Sequence, residues 1–264
     1  MRFPPCSLKK LFNLLKLALI AALVAWAELP IAHARAITLA AAADLKFAME
    51  EIVADFKTKQ QNVEVSVVYG SSGKLYAQIK QGAPFDIFFS ADVSYPRKLA
   101  EAGLGASPAV PYAWGHIVLW SATRDASSLK LNDLTLPEIK RIAIANPMHA
   151  PYGMRAKEAL VAAGLWEKIE KKLVYGENIA QAAQFVQSGN AQVGILALSL
   201  ALSPELQKAG SFATIPAHLH ESLVQSLIVT KKAKGNRLAE LFAEHMAHKS
   251  TRAILQKYGF TIPN

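Results

Sequence analysis

Short apolar runs alternate with stretches of helical periodicity along almost all of this 264-residue chain, and that alternation restricts its fold more than any other feature. A run too short for a helix, followed by apolar residues at i, i+3 and i+4, marks a strand feeding a crossover helix, which predicts an α/β chain with mainly parallel sheets. Residues 37–42 predict the first strand. Leu45, Ala48, Met49, Ile52, Val53 and Phe56 then line one face of a helix. A second strand is predicted over 63–69, a tight loop at Gly70-Ser71-Ser72-Gly73, a helix over 74–80 and a buried central strand over 85–90. Gly103, Gly105, Pro108 and Pro111 punctuate a linker before a strand over 115–121. A second α/β unit follows, with strands over 141–145, 172–175 and 192–197 and helices over 153–163 and 178–187. One more strand at 222–230 and closing helices at 236–247 and 251–258 complete the pattern. Trp166 and Phe185 fall on helix faces and are expected in the core.

The first 36 residues read differently. Arg2, Lys9, Lys10 and Lys16 form a basic stretch ahead of an apolar run, and Ala32-His33-Ala34 and Ala34-Arg35-Ala36 are overlapping small-x-small sites. That is the pattern of a secretory signal peptide, cut near Ala34 or Ala36, and it predicts a periplasmic product. The apolar run is about half the roughly 20 residues that span a bilayer. Cys6 precedes that run, whereas a lipid-modified cysteine would follow it, so the mature sequence is cysteine-free, as suits an oxidising compartment. The segment carries five basic groups and one acidic group, so removing it lowers the net charge from +9 to +5. The surplus is dispersed and forms no basic stripe, which argues against nucleic acid as a partner.

Four loops run out of apolar stretches into helix starts made of small neutral groups: Ala43-Asp44, Ser71-Ser72-Gly73, Tyr152-Gly153 and Asn178-Ile179. A helix N-terminus presents unpaired N–H groups and partial positive charge, so several aimed at one point can hold an anion without Arg or Lys. Each loop also has an ordinary reading. The serine pair can cap and turn the chain, and Asp44, at an N-cap position, is expected to turn back onto the Phe47 N–H.

Gly70-Ser71-Ser72-Gly73-Lys74 is not a phosphate loop, because Val68 and Leu75 stand where that motif needs Gly and Ser or Thr. It also fails the spacing of a nucleophile elbow. An exported hydrolase using Ser71 or Ser72 stays open as a remote alternative, with no histidine in those loops to serve it. His149 and the His218-x-His220 pair lack carboxylate or cysteine neighbours at metal-ligand spacing, so no metal cation is expected. Asp86 and Asp92 read as a strand end and a loop cap rather than a catalytic pair.

Taken in order, Ala40-Ala41-Ala42-Ala43-Asp44-Leu45, Gly70-Ser71-Ser72-Gly73, Gln81-Gly82-Ala83-Pro84-Phe85-Asp86, Ser90-Ala91-Asp92, Ala150-Pro151-Tyr152-Gly153, Gly176-Glu177-Asn178 and Lys257-Tyr258-Gly259-Phe260 give the chain a resemblance over essentially its whole mature length. It resembles the periplasmic molybdate-binding proteins of ABC importers, of the type II periplasmic binding-protein fold. That resemblance implies two α/β lobes joined by two crossover hinge strands, here 37–114 plus 230–264 for lobe one and 115–229 for lobe two, with hinges near Pro111 to Ala113 and near Thr230. It implies a non-enzymatic monomer without cofactor that captures molybdate, and tungstate too, between the lobes and delivers it to a membrane permease. Sulfate or phosphate is the alternative ligand. Carried over position by position, the ligand contacts fall on Ala43, Asp44, Ser71, Ser72, Tyr152 and Ile179, the last two through backbone N–H groups. The metal is present only as its oxyanion.

Overall fold

A computed structural model describes residues 35–263; the expected signal segment lies outside them except for Arg35 and Ala36. Two five-stranded sheets organise the described chain. In the first, β1 (Arg35–Ala42) lies between β2 (Val63–Gly70) and β3 (Ile87–Ser90), all parallel. The sheet continues through β10 (Leu223–Val229) to β4 (Val110–Gly115), with β10 antiparallel to both of its neighbours. In the second sheet, β6 (Ile142–Ala145) lies parallel to β7 (Leu173–Gly176) and β8 (Val193–Ala197). β5 (Ile117–Ser121) then runs antiparallel to β8 and to β9 (Ser211–Thr214).

The two reversed strands share a cause. The chain leaves the first sheet at Gly115, passes His116 and enters the second as β5; it returns after β9 and re-enters the first as β10. A strand that enters its sheet from the crossing runs away from it, opposite to strands whose C-terminal ends point toward it. Each lobe is therefore a parallel α/β sheet with one antiparallel strand contributed by a crossover.

This corrects the expected limits in two places. Leu223–Val229 belongs to the first sheet, not to the 115–229 lobe, because it pairs with β3 over Ile87 to Ser90. Thr230 is no hinge: its N–H donates to the Asp86 carbonyl and its hydroxyl to the Phe85 carbonyl, both within lobe one. The return crossing falls in 215–222. The outward crossing lies at His116, just past the predicted Pro111 to Ala113. Ser211–Thr214 was not anticipated, since four residues at a sheet edge carry little pattern.

Helices cover both faces of the first sheet. Ile37, Leu39, Ile87, Phe89, Leu227 and Val229 face α1 (Lys46–Lys59), α6 (Arg237–His245) and α7 (Lys249–Lys257), with Phe56, Phe242 and Leu255 filling that layer. Their strand neighbours Ala40, Phe88 and Ile228 face the other way, onto Leu75 and Ile79 of α2 (Ser72–Lys80) and Leu99 of α3 (Ser94–Glu101). This period-2 alternation explains why each strand is apolar throughout. The second lobe has one core around Trp120, Ile144, Leu160 and Ile195, served by α4 (Pro151–Ala162) and α5 (Ile179–Gln187). Ala42, Ala43 and Ala91 of the first lobe pack into it. Trp166 and Phe185 are partly buried at its edge.

α4 starts hard against the end of β6. A Cβ on Gly153 would stand 2.1 Å from the Ala145 carbonyl oxygen, a contact only backbone movement can relieve. Gly153→Ala is expected to destabilise the protein by about 1–3 kcal/mol or more, as overpacking against immobile atoms does. Urea unfolding monitored by tryptophan fluorescence measures it; an unchanged midpoint would mean that α4 is free to shift.

Candidate functional site

The N-terminal ends of α2, α4 and α5 and the 3-10 turn Ala43–Leu45 after β1 meet between the lobes. They line a small cavity together with Ala42, Ala43, Asp44, Gly70, Ser71, Ser72, Ala91, Ala150, Pro151, Tyr152 and Ile179. All six sequence-predicted site residues are in that lining, and none exceeds 4% exposure. No Lys or Arg is part of it. What the wall offers is main-chain dipole: the first N–H groups of a helix have no acceptor within the helix, and here three helices direct them toward one place.

Ser71 occupies the N-cap of α2, yet its side chain makes no capping bond. Its Oγ instead lies 2.9 Å from His149 Nδ1, across the cleft. Ser72 Oγ accepts the Ala91 N–H at 3.0 Å, which leaves its own proton free to be donated. The serine pair is therefore not engaged in ordinary helix capping. Asn178 does cap, accepting the Gln181 N–H, and so fixes the start of α5 at Ile179.

Asp44 departs from expectation. It caps nothing: the turn that contains it shows no side-chain cap bond, and neither does the start of α1. Its carboxyl reaches across the cleft, where Oδ2 accepts the Tyr152 hydroxyl at 2.9 Å, and the same oxygen accepts the Nε2–H of Gln225 from its own lobe at 2.6 Å. Oδ1 is buried with no partner among the described residues. Leu45, not Asp44, stands at the N-cap of α1, so Asp44 lies one residue before the capping position, inside the Ala43–Leu45 turn, and takes its donors from Tyr152 and Gln225 instead. Burial raises its pKa from 3.8 to about 6, against hydrogen bonds, those from Tyr152 and Gln225 foremost, that favour the charged form. Tyr152 and Gln225 press close to the outward crossing as well. A Cβ on Gly115 would stand 2.3 Å from the Tyr152 hydroxyl, so glycine there lets the chain pass.

Several other contacts join the lobes. Gly73 N–H donates to the His149 carbonyl at 2.9 Å, and Ser199 Oγ donates to the Asp44 carbonyl at 2.8 Å. Arg155 of α4, almost fully buried, reaches Asp92 of the first lobe at 3.3 Å and also meets Glu158 and Glu221. Lys74 pairs with Glu177 at the rim. Asp92 also accepts the Ser94 N–H two residues on, in the loop that leads into α3. Asp86, expected at a solvated strand end, is buried and holds the Thr38 N–H and Lys232.

His149, Arg155, Gln225 and Ser199 were not identified as site residues from the sequence. Gln225 was signalled by its position, since an amide inside the apolar run of β10 needs a partner when buried. Ser71, His149 and Glu177 follow one another like a nucleophile relay, but His149 Nε2 stands 3.9 Å from Glu177 Oε2, beyond a hydrogen bond.

Raising the pKa of Asp44 makes the folded protein bind more protons than the unfolded chain between pH 3.8 and about 6. Its contribution to stability is therefore complete below pH 3.8 and lost as pH rises through about 6, a difference of about 3 kcal/mol. Asp44→Asn, which keeps an acceptor for Tyr152, is expected to stabilise the protein at pH 8 by up to that amount. Urea unfolding of both forms at pH 4.5 and pH 8 checks it; parallel pH dependence in wild type and variant would assign the effect to another group.

Against this geometry, comparison with known proteins gives a consistent picture. A family model described as bacterial extracellular solute-binding protein matches residues 37–261. The molybdate-binding protein ModA of Azotobacter vinelandii is 36% identical over 230 residues, covering 87% of this chain and 91% of that protein. ModA of Rhodobacter capsulatus is 36% identical over 245 residues, 90% and 93% of the two chains. The solved Azotobacter vinelandii periplasmic molybdate-binding protein superposes with a TM-score of 0.81 at 31% identity, covering 86% of this chain and all of that one. The sulfate-binding protein SubI from Mycobacterium tuberculosis H37Rv, TM-score 0.71 at 16% identity, shares the fold.

Proposed function

The chain belongs to the bacterial extracellular solute-binding protein family, and from that premise we propose that it captures molybdate, and tungstate with it, and delivers the oxyanion to the permease of an ABC importer. The observation that carries this reading is the cavity itself, in which three helix N-termini and two serine hydroxyls converge with no formal cation in the wall. A desolvated tetrahedral dianion suits such a set, because each charge-assisted N–H or O–H bond contributes about 1.5–3 kcal/mol and none competes through a counter-charge. The proposed contacts are the Ser71 and Ser72 hydroxyls, the backbone of Ala43 and Asp44, and the N–H groups of Tyr152 and Ile179. The relatives are binding proteins, and this chain is one rather than an enzyme. We assign it to the periplasm as a monomer, with the leader removed near Ala34 or Ala36; cleavage at the first site preserves the pairing of Arg35 with Val63 in β1.

A second reading has one specific support. The unpaired, buried Asp44 Oδ1 can accept a proton from a ligand that carries one, as hydrogen phosphate does and molybdate does not. A thermal-shift panel of molybdate, tungstate, sulfate and phosphate at pH 7.5 separates the two. Molybdate and tungstate at a hundredfold excess over Kd are expected to add about 2.7 kcal/mol of stability, with little response to the others. A shift with phosphate and none with molybdate would replace the first reading with the second.

A further inference from the structure

His149 stands beside the cavity serine Ser71 and is not among the proposed contacts. Its position is specific. The ring stands between a first-lobe serine and a second-lobe carboxylate, 2.9 Å from Ser71 Oγ at Nδ1 and 3.9 Å from Glu177 Oε2 at Nε2. Its carbonyl receives the Gly73 N–H from the opposite lobe, and a Cβ on Gly73 would come within 2.6 Å of that oxygen. Ring and main chain are thus both held at the cleft, and the side chain keeps only 19% of its exposure.

The consequence lies in the single proton of the Ser71 hydroxyl. If it points to a bare Nδ1, Oγ turns only lone pairs toward the cavity. A fully deprotonated oxyanion also presents only lone pairs, so the two would repel. Ser71 becomes a donor to the ligand only when Nδ1 carries a proton and donates it to Oγ. A neutral ring can do this only by leaving Nε2 bare, its lone pair facing the Glu177 carboxylate. A ring protonated on both nitrogens instead donates to Ser71 on one side and faces Glu177 with an N–H on the other.

Resting on the oxyanion reading above, we propose that His149 is a positioning residue for ligand capture: it takes one proton from solvent as the dianion enters, and as imidazolium holds Ser71 with its hydroxyl proton directed at the ligand.

The surroundings fit this role. Burial holds the His149 pKa below its ordinary value; Glu177 pulls it up and Lys74, from α2, pushes it down. The other titratable groups near it are Tyr95 of α3, whose hydroxyl lies beside Gly73, and Asp44 in the cavity wall. Arg155 is already engaged by Asp92, Glu158 and Glu221. Without ligand the ring is therefore neutral at pH 7, and a dianion nearby favours its charged form. Since the bound state holds the extra proton, affinity weakens as pH rises, by up to tenfold per unit between the free and bound pKa values.

The test is ring-15N NMR of the mature protein with and without molybdate at pH 7, combined with titration calorimetry of three variants. Bound wild type is expected to show His149 protonated at both nitrogens, and free wild type at one. His149→Ala is expected to bind about ten- to a hundredfold more weakly, the loss of one charge-assisted donor. His149→Asn, whose amide N–H stands in for Nδ1–H, is expected to recover most of that loss, and Glu177→Gln to lower the bound-state pKa of the ring. A ring that stays neutral in the complex, or Ala and Asn variants that bind alike, overturns the proposal while leaving molybdate capture intact. Wild type that binds none of molybdate, tungstate, sulfate or phosphate overturns both.

Discussion

The hydrogen bond from Gly73 N–H to the His149 carbonyl is the contact on which the rest of the site depends. It joins the first turn of α2 in one lobe to the loop before α4 in the other, and so sets how near two sets of helix N-termini can come. Only glycine permits it, because any side chain at 73 would strike that same carbonyl. With the two ends held together, Ser71, Ser72, Tyr152 and Ile179 surround one small volume from opposite sides. A few ångströms of opening would leave each a solvated helix start of no special chemistry, since the field of a helix end fades within a turn.

Positive charge is arranged around this centre rather than in it. Lys74 with Glu177 and Arg155 with Asp92 span the cleft at its margin, so the formal charges act as clasps between lobes. The Lys74 pair is exposed and contributes little. Arg155 is almost fully buried among three carboxylates, and removing a partner there would strand charge away from water. Asp44 and Tyr152 add a third connection nearer the crossing, where burial favours the neutral carboxyl and the hydrogen bonds the charged one. A wall without cations and clasps outside it describe a container that closes on an anion and still releases it, since a fixed cation in the cavity would hold an anion against opening.

How much of this the sequence carried depended on range. The parallel strands and the helices after them were legible because the i, i+3, i+4 and continuous apolar patterns are local, and so was the set of loops at the cavity. What stayed hidden was set by partners far along the chain. Asp44 reads as an N-cap from its neighbours alone, and Tyr152 and Gln225, 108 and 181 positions on, draw it away. Leu223–Val229 looks like one more strand of the second unit, and its membership in the first sheet is decided by pairing with β3 and β4. His149 reads as a lone histidine, because its partner Ser71 is 78 positions away in sequence and adjacent only across the cleft.

The central claim is that uncharged donors suffice to strip water from a doubly negative ligand and hold it between the lobes. A crystal structure of the mature protein with molybdate tests it most directly. The account predicts molybdate oxygens at about 2.7–3.0 Å from the Ser71 and Ser72 hydroxyls and from the N–H groups of Tyr152 and Ile179. Molybdate held by a lysine or arginine, or found outside the cleft, would contradict it.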